Sequence, residues 1–259
     1  MTPTFPARPR LIAFDLDDTL AESKQPLTPE MAALVSQLLA QIPVAIMSGG
    51  KWEQFTKQVV SRLPDHTNLG RLYLFPSGAG QCYVYRDSAW HLQYDHSFTE
   101  EERQKIRAAF AIALKEVGLD TPPPQLWGEQ IEDRVAQFSF SPLGQQAPVP
   151  EKKAWREKNN PLRLKLRELL VPLLPDFEVK AGGITTIDIT RKGISKAFGV
   201  RELANISNIP IADMLYVGDA LWEGGNDAVV IETGVPTYQV ANKEETAELI
   251  THLLATATH

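Results

Sequence analysis

Two acidic side chains stand at the end of an apolar segment near the start of the chain. Residues 11–14 (Leu-Ile-Ala-Phe) predict a buried strand, and Asp15 and Asp17 follow where that strand ends. A carboxylate in this position lies at the crevice where open α/β sheets bind ligands. Because nearby carboxylates raise each other's pKa unless a cation or donors compensate, the spacing indicates a cation site. The structural alternative for the motif alone is an acidic surface turn with an Asx cap.

A second strand end carries groups suited to an anion. The apolar residues 44–47 are followed by Ser48, Gly49 and Gly50, and a helix is predicted directly after them. Glycines let main-chain N–H groups approach an anion closely, and the N-terminus of a helix favours the same anion. In isolation this segment would be an ordinary strand-to-helix turn. Together with the Asp15 motif, it is interpreted as a phosphate-binding loop.

More acidic groups follow a predicted strand in the second half of the chain. Asp219 comes after the apolar residues 214–217, and Asn226 and Asp227 lie in the glycine-containing loop beyond it. Right-handed βαβ connections bring the carboxyl ends of parallel strands to one edge of a sheet. Oxygen ligands without nitrogen or sulfur select Mg²⁺. The predicted metal ligands are Asp15, Asp17, Asp219, Asn226 and Asp227.

This set of residues is suited to phosphoryl transfer. Asp15 is the predicted nucleophile, which would form a phosphoaspartyl intermediate. Asp17 would protonate the leaving oxygen and later take the proton from the acceptor. Ser48 and Lys196 would hold and neutralise the transferring phosphoryl oxygens. Taken singly, a capping serine and a surface lysine are the alternative interpretations of the last two residues.

The composition is that of a soluble globular protein rather than a nucleic-acid or membrane protein. The 259 residues are 43% hydrophobic and 22% charged, and the net charge of −6 disfavours nucleic acid and anionic membranes as partners. No apolar run is long enough to span a bilayer, and the short proline-containing segment 1–10 does not resemble a secretory leader. We therefore expect a cytoplasmic location. A single cysteine, Cys82, excludes an intrachain disulfide.

The order of predicted elements indicates an α/β protein with an insertion. Strands alternate with helices in residues 1–89 and 190–259, which predicts a Rossmann-like core with a parallel sheet. Residues 90–189 instead show strands separated by two long helices, which predicts an inserted α+β cap domain.

End signals predict individual element boundaries. Thr28 is predicted to cap a helix that has a proline at its first position. Asn159 or Asn160 is predicted to cap a long helix, with Pro161 just inside its start. Residues 229–231 (Val-Val-Ile) are predicted to form a strand of the core sheet.

The motifs resemble those of a known enzyme superfamily. Residues 15–19 have the form D-x-D-x-T, the signature of the haloacid dehalogenase (HAD) superfamily of phosphotransferases. Within it the chain resembles the eukaryotic-type phosphomannomutases, whose α+β cap (subfamily IIB, C2 type) is inserted after the third core strand. Residues 218–219 and 224–227 resemble that family's G-D and G-G-N-D. Residues 182–188 are similar to its G-G-x-x-S-x-D, and residues 141–144 to its S-P-I-G.

The resemblance implies a Mg²⁺ cofactor, a homodimer formed through the cap, and hexose phosphates as substrates. In that family, cap arginines hold the distal phosphate of the substrate. Arg134 matches one such position, Gln145 stands where an arginine follows S-P-I-G, and Lys152 and Lys24 stand where two other arginines are usual. The substrate-binding residues expected here are Lys24, Gly49, Gly50, Arg134, Gln145, Lys152, Thr186 and Asp188.

The leading prediction is a phosphomannomutase-like enzyme that interconverts hexose 1-phosphate and hexose 6-phosphate. A sugar-phosphate phosphatase, in which water attacks the phosphoaspartate, is the alternative, because Gln145 provides neither the charge nor the fork of an arginine. A catalytically silent binding protein would be expected to lack one of the residues Asp15, Asp17, Lys196 and Asp219, and all four are present.

Overall fold

The computed structural model describes residues 9–256, which form two compact units. Residues up to 95 together with those from 194 form the core unit, and residues 96–193 form the cap unit. Both boundaries fall a few residues later than the predicted 90–189, since a core strand continues to Asp95 and a cap strand continues to Arg191. Of the tail predicted for residues 1–10, residues 1–8 lie outside the described part of the chain.

Eleven strands and six α-helices are found among the described residues. The strands are β1 (Leu11–Asp15), β2 (Val44–Met47), β3 (Leu72–Phe75), β4 (Gln81–Arg86), β5 (Ala89–Asp95), β6 (Ile131–Asp133), β7 (Gln137–Phe140), β8 (Phe177–Gly182), β9 (Thr186–Arg191), β10 (Met214–Gly218) and β11 (Thr237–Gln239). The helices are α1 (Pro29–Gln41), α2 (Trp52–Gln58), α3 (Glu100–Val117), α4 (Val149–Leu173), α5 (Lys196–Ser207) and α6 (Lys243–Thr256).

The core unit contains one seven-stranded sheet, in the order β11-β10-β1-β2-β3-β4-β5. The first five strands of this order are parallel, and β4 and β5 extend the sheet as an antiparallel hairpin. The cap unit contains a separate four-stranded antiparallel sheet, in the order β6-β7-β9-β8. The predicted α/β fold class, with a mostly parallel sheet and an inserted α+β part, is confirmed.

The central strands β1, β2 and β10 are buried on both faces, which explains why they consist mainly of apolar residues. Ile12 and Phe14 pack in one hydrophobic cluster with residues of α1 and α6. Leu11 and Ala13 point to the other face, where they belong to a second cluster that includes residues of α5. Successive side chains of a strand point to opposite faces, so helices on both sides require an uninterrupted apolar run.

The cap sheet is apolar on one face only. Phe138 and Ile187 share a hydrophobic cluster with residues of α3 and α4. Residues that alternate with them, such as Ser139 and Asp188, are polar and lie on the opposite face of the sheet. Polar side chains of β7 and β9 therefore lie on the same face of the cap sheet.

The predicted Thr28 cap is confirmed, because its side chain accepts a hydrogen bond from the Met31 N–H. Two other predictions, a helix start and a strand, are wrong. Helix α4 begins at Val149 rather than after Asn160, and Pro161 lies inside it. Its first turns carry too few apolar residues to show a helical period, so only the later turns were recognisable. Residues 229–231 lie in the 3-10 segment Ala228–Thr233 rather than in a strand. Three consecutive apolar residues cannot distinguish these two conformations.

No helix within residues 9–256 combines the length and the apolar composition needed to cross a membrane.

Helix α5 lies unusually close to its neighbours at Gly199. A Cβ atom at this position would lie 2.7 Å from the Cβ of Ala79 and 3.1 Å from the sulfur of Met47. Glycine in a helix interior is unfavourable by roughly 0.5–1 kcal/mol relative to alanine, so its presence here reflects close packing rather than helix propensity. The close approach holds α5, and with it Lys196 at its first position, against the sheet.

We predict that Gly199→Ala lowers the free energy of unfolding by about 1–3 kcal/mol, because the added methyl overlaps Ala79. The same displacement of α5 would shift Lys196 and should therefore also lower the activity expected from the sequence. Urea unfolding and steady-state kinetics measure the two effects. Asn205→Ala, on the exposed side of the same helix, is the control and should change stability by less than about 0.5 kcal/mol. A stabilised Gly199→Ala variant would contradict the packing argument.

Candidate active site

Three carboxylates converge at the carboxyl ends of two neighbouring core strands. Asp15 is the last residue of β1, Asp219 follows β10, and Asp227 lies in the loop beyond it. Each contributes one carboxylate oxygen to a cluster in which these atoms lie within 4.8 Å of one another. Because β1 and β10 are adjacent parallel strands, their ends bring together residues from opposite parts of the chain. Three of the five predicted metal ligands therefore lie together.

Lys196 is bonded to two of these carboxylates. Its ammonium donates a hydrogen bond to Asp15 Oδ1 and another, at 2.5 Å, to Asp227 Oδ1. All three side chains are buried. The positive end of a helix dipole disfavours a lysine at the first position of α5, so the two carboxylates supply the attraction that holds it there. Lys196 therefore links Asp15, the predicted nucleophile, to the loop that follows β10.

Asp227 is fixed by a group that the sequence analysis did not identify. The Tyr216 hydroxyl donates to Asp227 Oδ1 at 2.8 Å, and the Ala220 N–H donates to Asp227 Oδ2 at 3.2 Å. Gly218 lies so close that an added Cβ would be 2.5 Å from Asp227 Oδ2. A tyrosine within an otherwise apolar buried strand requires a partner for its hydroxyl, and this requirement was the available signal.

The electrostatics of this cluster leave an excess of negative charge. Burial, followed by the neighbouring Asp227, raises the pKa of Asp219 from 3.8 to about 6. Burial also raises the pKa of Asp15, against the opposing effect of Lys196. For Lys196, burial lowers the pKa, but the attraction of Asp15 and Asp227 outweighs it, and the ammonium form is held. With all three carboxylates ionised, the cluster would carry two negative charges more than the Lys196 ammonium neutralises, and a divalent cation would balance them.

Asp17 and Ser48 form a separate pair beside this cluster. The Ser48 hydroxyl donates to Asp17 Oδ2 at 3.3 Å, and the Lys24 N–H donates to Asp17 Oδ1 at 2.6 Å. The carboxylate of Asp17 is not one of the three clustered ligands found among the described residues. Asn226 adjoins Asp227 and is exposed. The metal-ligand roles of Asp17 and Asn226 stay predictions.

The loop that carries Ser48 is held by the loop after β3. The Gly50 N–H donates to Ser48 Oγ at 3.1 Å, while Ser77 N–H donates to the Gly50 carbonyl at 2.7 Å and Gly78 N–H to the Ser48 carbonyl at 3.0 Å. Ser77 and Ala79 have main-chain φ values of 55° and 69°, which residues other than glycine rarely adopt. Such conformations persist only where the surroundings hold them, and they cluster at functional sites. The position of Ser48 is thus set by main-chain contacts over residues 48–50, with Gly49 between the two bonded residues.

The cap unit brings together a second group of predicted residues. Arg134 Nε donates to Glu132 Oε2 at 2.8 Å, and Arg134 Nη2 donates to Gln145 Oε1 at 2.9 Å. The Lys152 ammonium donates to the main-chain carbonyl of Gln145 at 3.3 Å. Two cations and one amide predicted from the resemblance therefore form one network.

Asp188 and Thr186 also lie together in the cap unit. The Ser139 hydroxyl donates to Asp188 Oδ1 at 2.6 Å, and the Thr186 hydroxyl donates to Asp188 Oδ2 at 3.2 Å. Gly182 is opposite them, where an added Cβ would overlap Asp188 Oδ2 at 1.8 Å. Only glycine permits this close approach of β8 to the Asp188 carboxylate.

The mostly parallel core sheet with a separate antiparallel cap sheet is the HAD-type fold that the motifs predicted. The sequence model of the eukaryotic phosphomannomutase family matches residues 31–256, and the chain belongs to that family. Phosphomannomutase from Spinacia oleracea is 24% identical over 259 residues, covering 96% of this chain and 98% of the relative. Phosphomannomutase from Glycine max is 28% identical over 233 residues, covering 87% and 88%. The family predicted from the motifs and the prediction of an enzyme are both confirmed.

Solved structures of HAD phosphatases share the fold. The C-terminal domain of Candida albicans trehalose-6-phosphate phosphatase has a TM-score of 0.67 at 16% identity, covering 96% of this chain and 93% of that chain. An IMP-bound, N-terminally truncated Plasmodium falciparum IMP-nucleotidase has a TM-score of 0.69 at 15% identity, covering 96% and 68%. At these identities the similarity concerns the fold alone.

We predict opposite effects of Asp219→Asn on the metal-free and the metal-loaded protein. Removing one uncompensated carboxylate should raise the melting temperature of the metal-free protein by about 2–4 °C. The same change removes a ligand, so the further rise on adding Mg²⁺ should be largely lost.

Differential scanning fluorimetry with and without 5–10 mM Mg²⁺, about a saturating range for a carboxylate site, measures both effects. Glu223→Gln, an exposed acid on the same loop, is the matched control and should leave both values unchanged. A metal-free Asp219→Asn variant that melts below the wild type would contradict the proposed charge imbalance.

Proposed function

We propose that the protein is a Mg²⁺-dependent phosphotransferase that interconverts hexose 1-phosphate and hexose 6-phosphate through a phosphoaspartyl intermediate. The observation that carries the proposal is the buried cluster of Asp15, Asp219, Asp227 and Lys196 in a member of the eukaryotic phosphomannomutase family. The names of the relatives support a sugar phosphate as the substrate.

The donor set of the cluster fits Mg²⁺. Asp15, Asp219 and Asp227 offer hard carboxylate oxygens within 4.8 Å of one another, and a divalent cation would balance the negative charge that they carry in excess of Lys196 when ionised. Asp17 and Asn226 are proposed as further ligands. When bound, the ion would offset the charge of the phosphate and so permit the approach of a carboxylate.

The chain's own residues have distinct proposed roles in the transfer. Asp15 attacks phosphorus, so that a bond from its carboxylate oxygen to phosphorus forms as the bond from phosphorus to the sugar oxygen breaks. Asp17 gives a proton to that leaving oxygen, and Ser48, which donates to its carboxylate, keeps it oriented. In the second half-reaction Asp17 takes the proton from the other sugar hydroxyl, which attacks the phosphoaspartate. Lys196 offsets negative charge beside Asp15.

The polar face of the cap sheet is proposed to bind the remote part of the substrate. Arg134 and Lys152 provide positive charge there, and Thr186 and Asp188 provide hydroxyl and carboxylate groups for sugar hydroxyls. In the core unit, the predicted substrate contacts are Lys24, Gly49 and Gly50, and these stay predictions. Association as a homodimer through the cap unit and a cytoplasmic location are also proposed on the strength of the family resemblance.

A sugar-phosphate phosphatase is the second candidate function, and Gln145 is the observation that favours it. This residue is a neutral amide that is buried against Arg134, so the cap network contains one cation fewer than the resemblance leads one to expect. A weaker hold on the second phosphate of a bisphosphate intermediate would let water attack the phosphoaspartate more often.

We predict that the wild-type protein converts mannose 1-phosphate into mannose 6-phosphate when Mg²⁺ and a hexose bisphosphate activator are present. Phosphorus NMR follows hexose 6-phosphate and free phosphate in the same sample. Asp15→Asn should yield neither product while keeping the wild-type circular dichroism spectrum, because the nucleophile is lost but the fold is not. Free phosphate without hexose 6-phosphate would contradict the mutase and support the phosphatase. Turnover by Asp15→Asn would contradict the phosphoaspartyl mechanism.

We predict that Arg134→Ala raises KM for a phosphorylated sugar about tenfold and changes kcat less than about threefold. The variant removes a charge-assisted hydrogen bond to the remote part of the substrate but leaves the acidic cluster intact. Lys153→Ala removes an exposed cap cation outside the network and serves as the control. An unchanged KM for Arg134→Ala would show that the arginine does not contact the substrate.

A further inference from the structure

We infer that the side chain of Gln145 is a positioning group that orients Arg134 and does not itself bind the phosphate, while the main-chain carbonyl of the same residue accepts from Lys152. The inference rests on the proposed function, in which these cations contact the remote part of a sugar phosphate. It replaces the role that the resemblance implied for this position, where an arginine would contact the substrate directly.

The side-chain amide of Gln145 is engaged at both ends. Its nitrogen donates to the main-chain carbonyls of Ser139, at 2.8 Å, and Gln130, at 3.2 Å. A primary amide has two hydrogens, so these bonds use its full donor capacity. Its oxygen accepts from Arg134 Nη2 at 2.9 Å. The residue is only 5% exposed, which leaves the amide little contact with solvent or with a ligand.

Only one orientation of this amide is compatible with its surroundings. Rotation by 180° would place the amide oxygen against two carbonyl oxygens and the NH₂ group against the Arg134 guanidinium. Each of these contacts would then bring an acceptor against an acceptor or a donor against a donor, which is unfavourable. Turning the amide towards a phosphate would likewise leave the carbonyls of Ser139 and Gln130 without this donor.

The same residue connects both cations of the network. Arg134 is held on one side by Glu132, through Nε, and on another by Gln145, through Nη2, so two of its nitrogens fix the plane of the guanidinium. Lys152 is bound to the main-chain carbonyl of Gln145. A carboxylate at position 145 would add negative charge and repel the two carbonyls, whereas a neutral amide orients Arg134 and leaves its charge unchanged.

The test uses a double-mutant cycle on the full-length protein. Gln145→Met keeps the volume of the side chain but removes every hydrogen bond of the amide. We expect it to raise KM for a hexose phosphate about fivefold with kcat changed less than about twofold, since Arg134 loses its orientation. If Gln145 acts through Arg134, the double variant Arg134→Ala/Gln145→Met should show the same KM as Arg134→Ala alone.

A residue of the same type at the next position provides the control. Gln146 is exposed, and Gln146→Met should leave KM, kcat and the melting temperature unchanged. If the methionine variant does not fold, Gln145→Ala serves as a second variant. The space left by the smaller side chain admits water, which can donate to the two carbonyls.

Several outcomes would overturn the inference. KM effects of Arg134→Ala and Gln145→Met that multiply in the double variant would show that Gln145 acts on its own. A raised KM for Arg134→Ala with an unchanged KM for both Gln145 variants would remove the positioning role and leave the proposed function intact. An unchanged KM for Arg134→Ala would contradict the substrate contact of the proposed function itself. If neither Gln145 variant folds, the residue serves the cap fold and not the placement of Arg134.

Discussion

The buried ion pair network of Lys196 with Asp15 and Asp227 is the interaction on which the rest of the site depends. Removing one partner from buried charges leaves the others uncompensated and is strongly unfavourable. Several features of the core unit hold this network together: the adjacent ends of β1 and β10, and the close packing of α5 at Gly199. With one ammonium among three carboxylates, the network is still short of positive charge, and this deficit is the strongest structural argument for a divalent cation.

The loops around the cluster are positioned by the strands that precede them. The strands end at the site because they are parallel, and parallel strands in a sheet with two covered faces can present polar groups only at their ends. The loops beyond them are then fixed by main-chain hydrogen bonds, which hold residues such as Ser77 at a positive φ. Ser48 and Asp17 thereby form a pair distinct from the acidic cluster, which separates the proposed proton transfer from the proposed nucleophile.

The cap unit applies a different principle to charge. Its cations Arg134 and Lys152 are held by neutral and acidic partners, and Gln145 occupies the centre of that network. A neutral residue at this point lowers the total positive charge available to a phosphorylated ligand. The balance between transfer to a sugar hydroxyl and transfer to water is the functional property that this difference would affect first.

The sequence by itself determined the fold class, the family and the positions of Asp15 and Asp219, because these follow from local patterns of apolar strands that end in acids. Local patterns also identified the Thr28 cap, but they failed for the start of α4, where the first turns lack an apolar period. Only the tertiary structure decided which groups bond to each other: Lys196 and Asp15 are 181 positions apart, and the orientation of Gln145 leaves no mark on its neighbours in sequence. Tyr216 in an apolar strand signals a buried hydrogen-bond partner, but the sequence does not identify that partner as Asp227. Partners of this kind are selected by the packing of distant segments, which no short stretch of residues encodes.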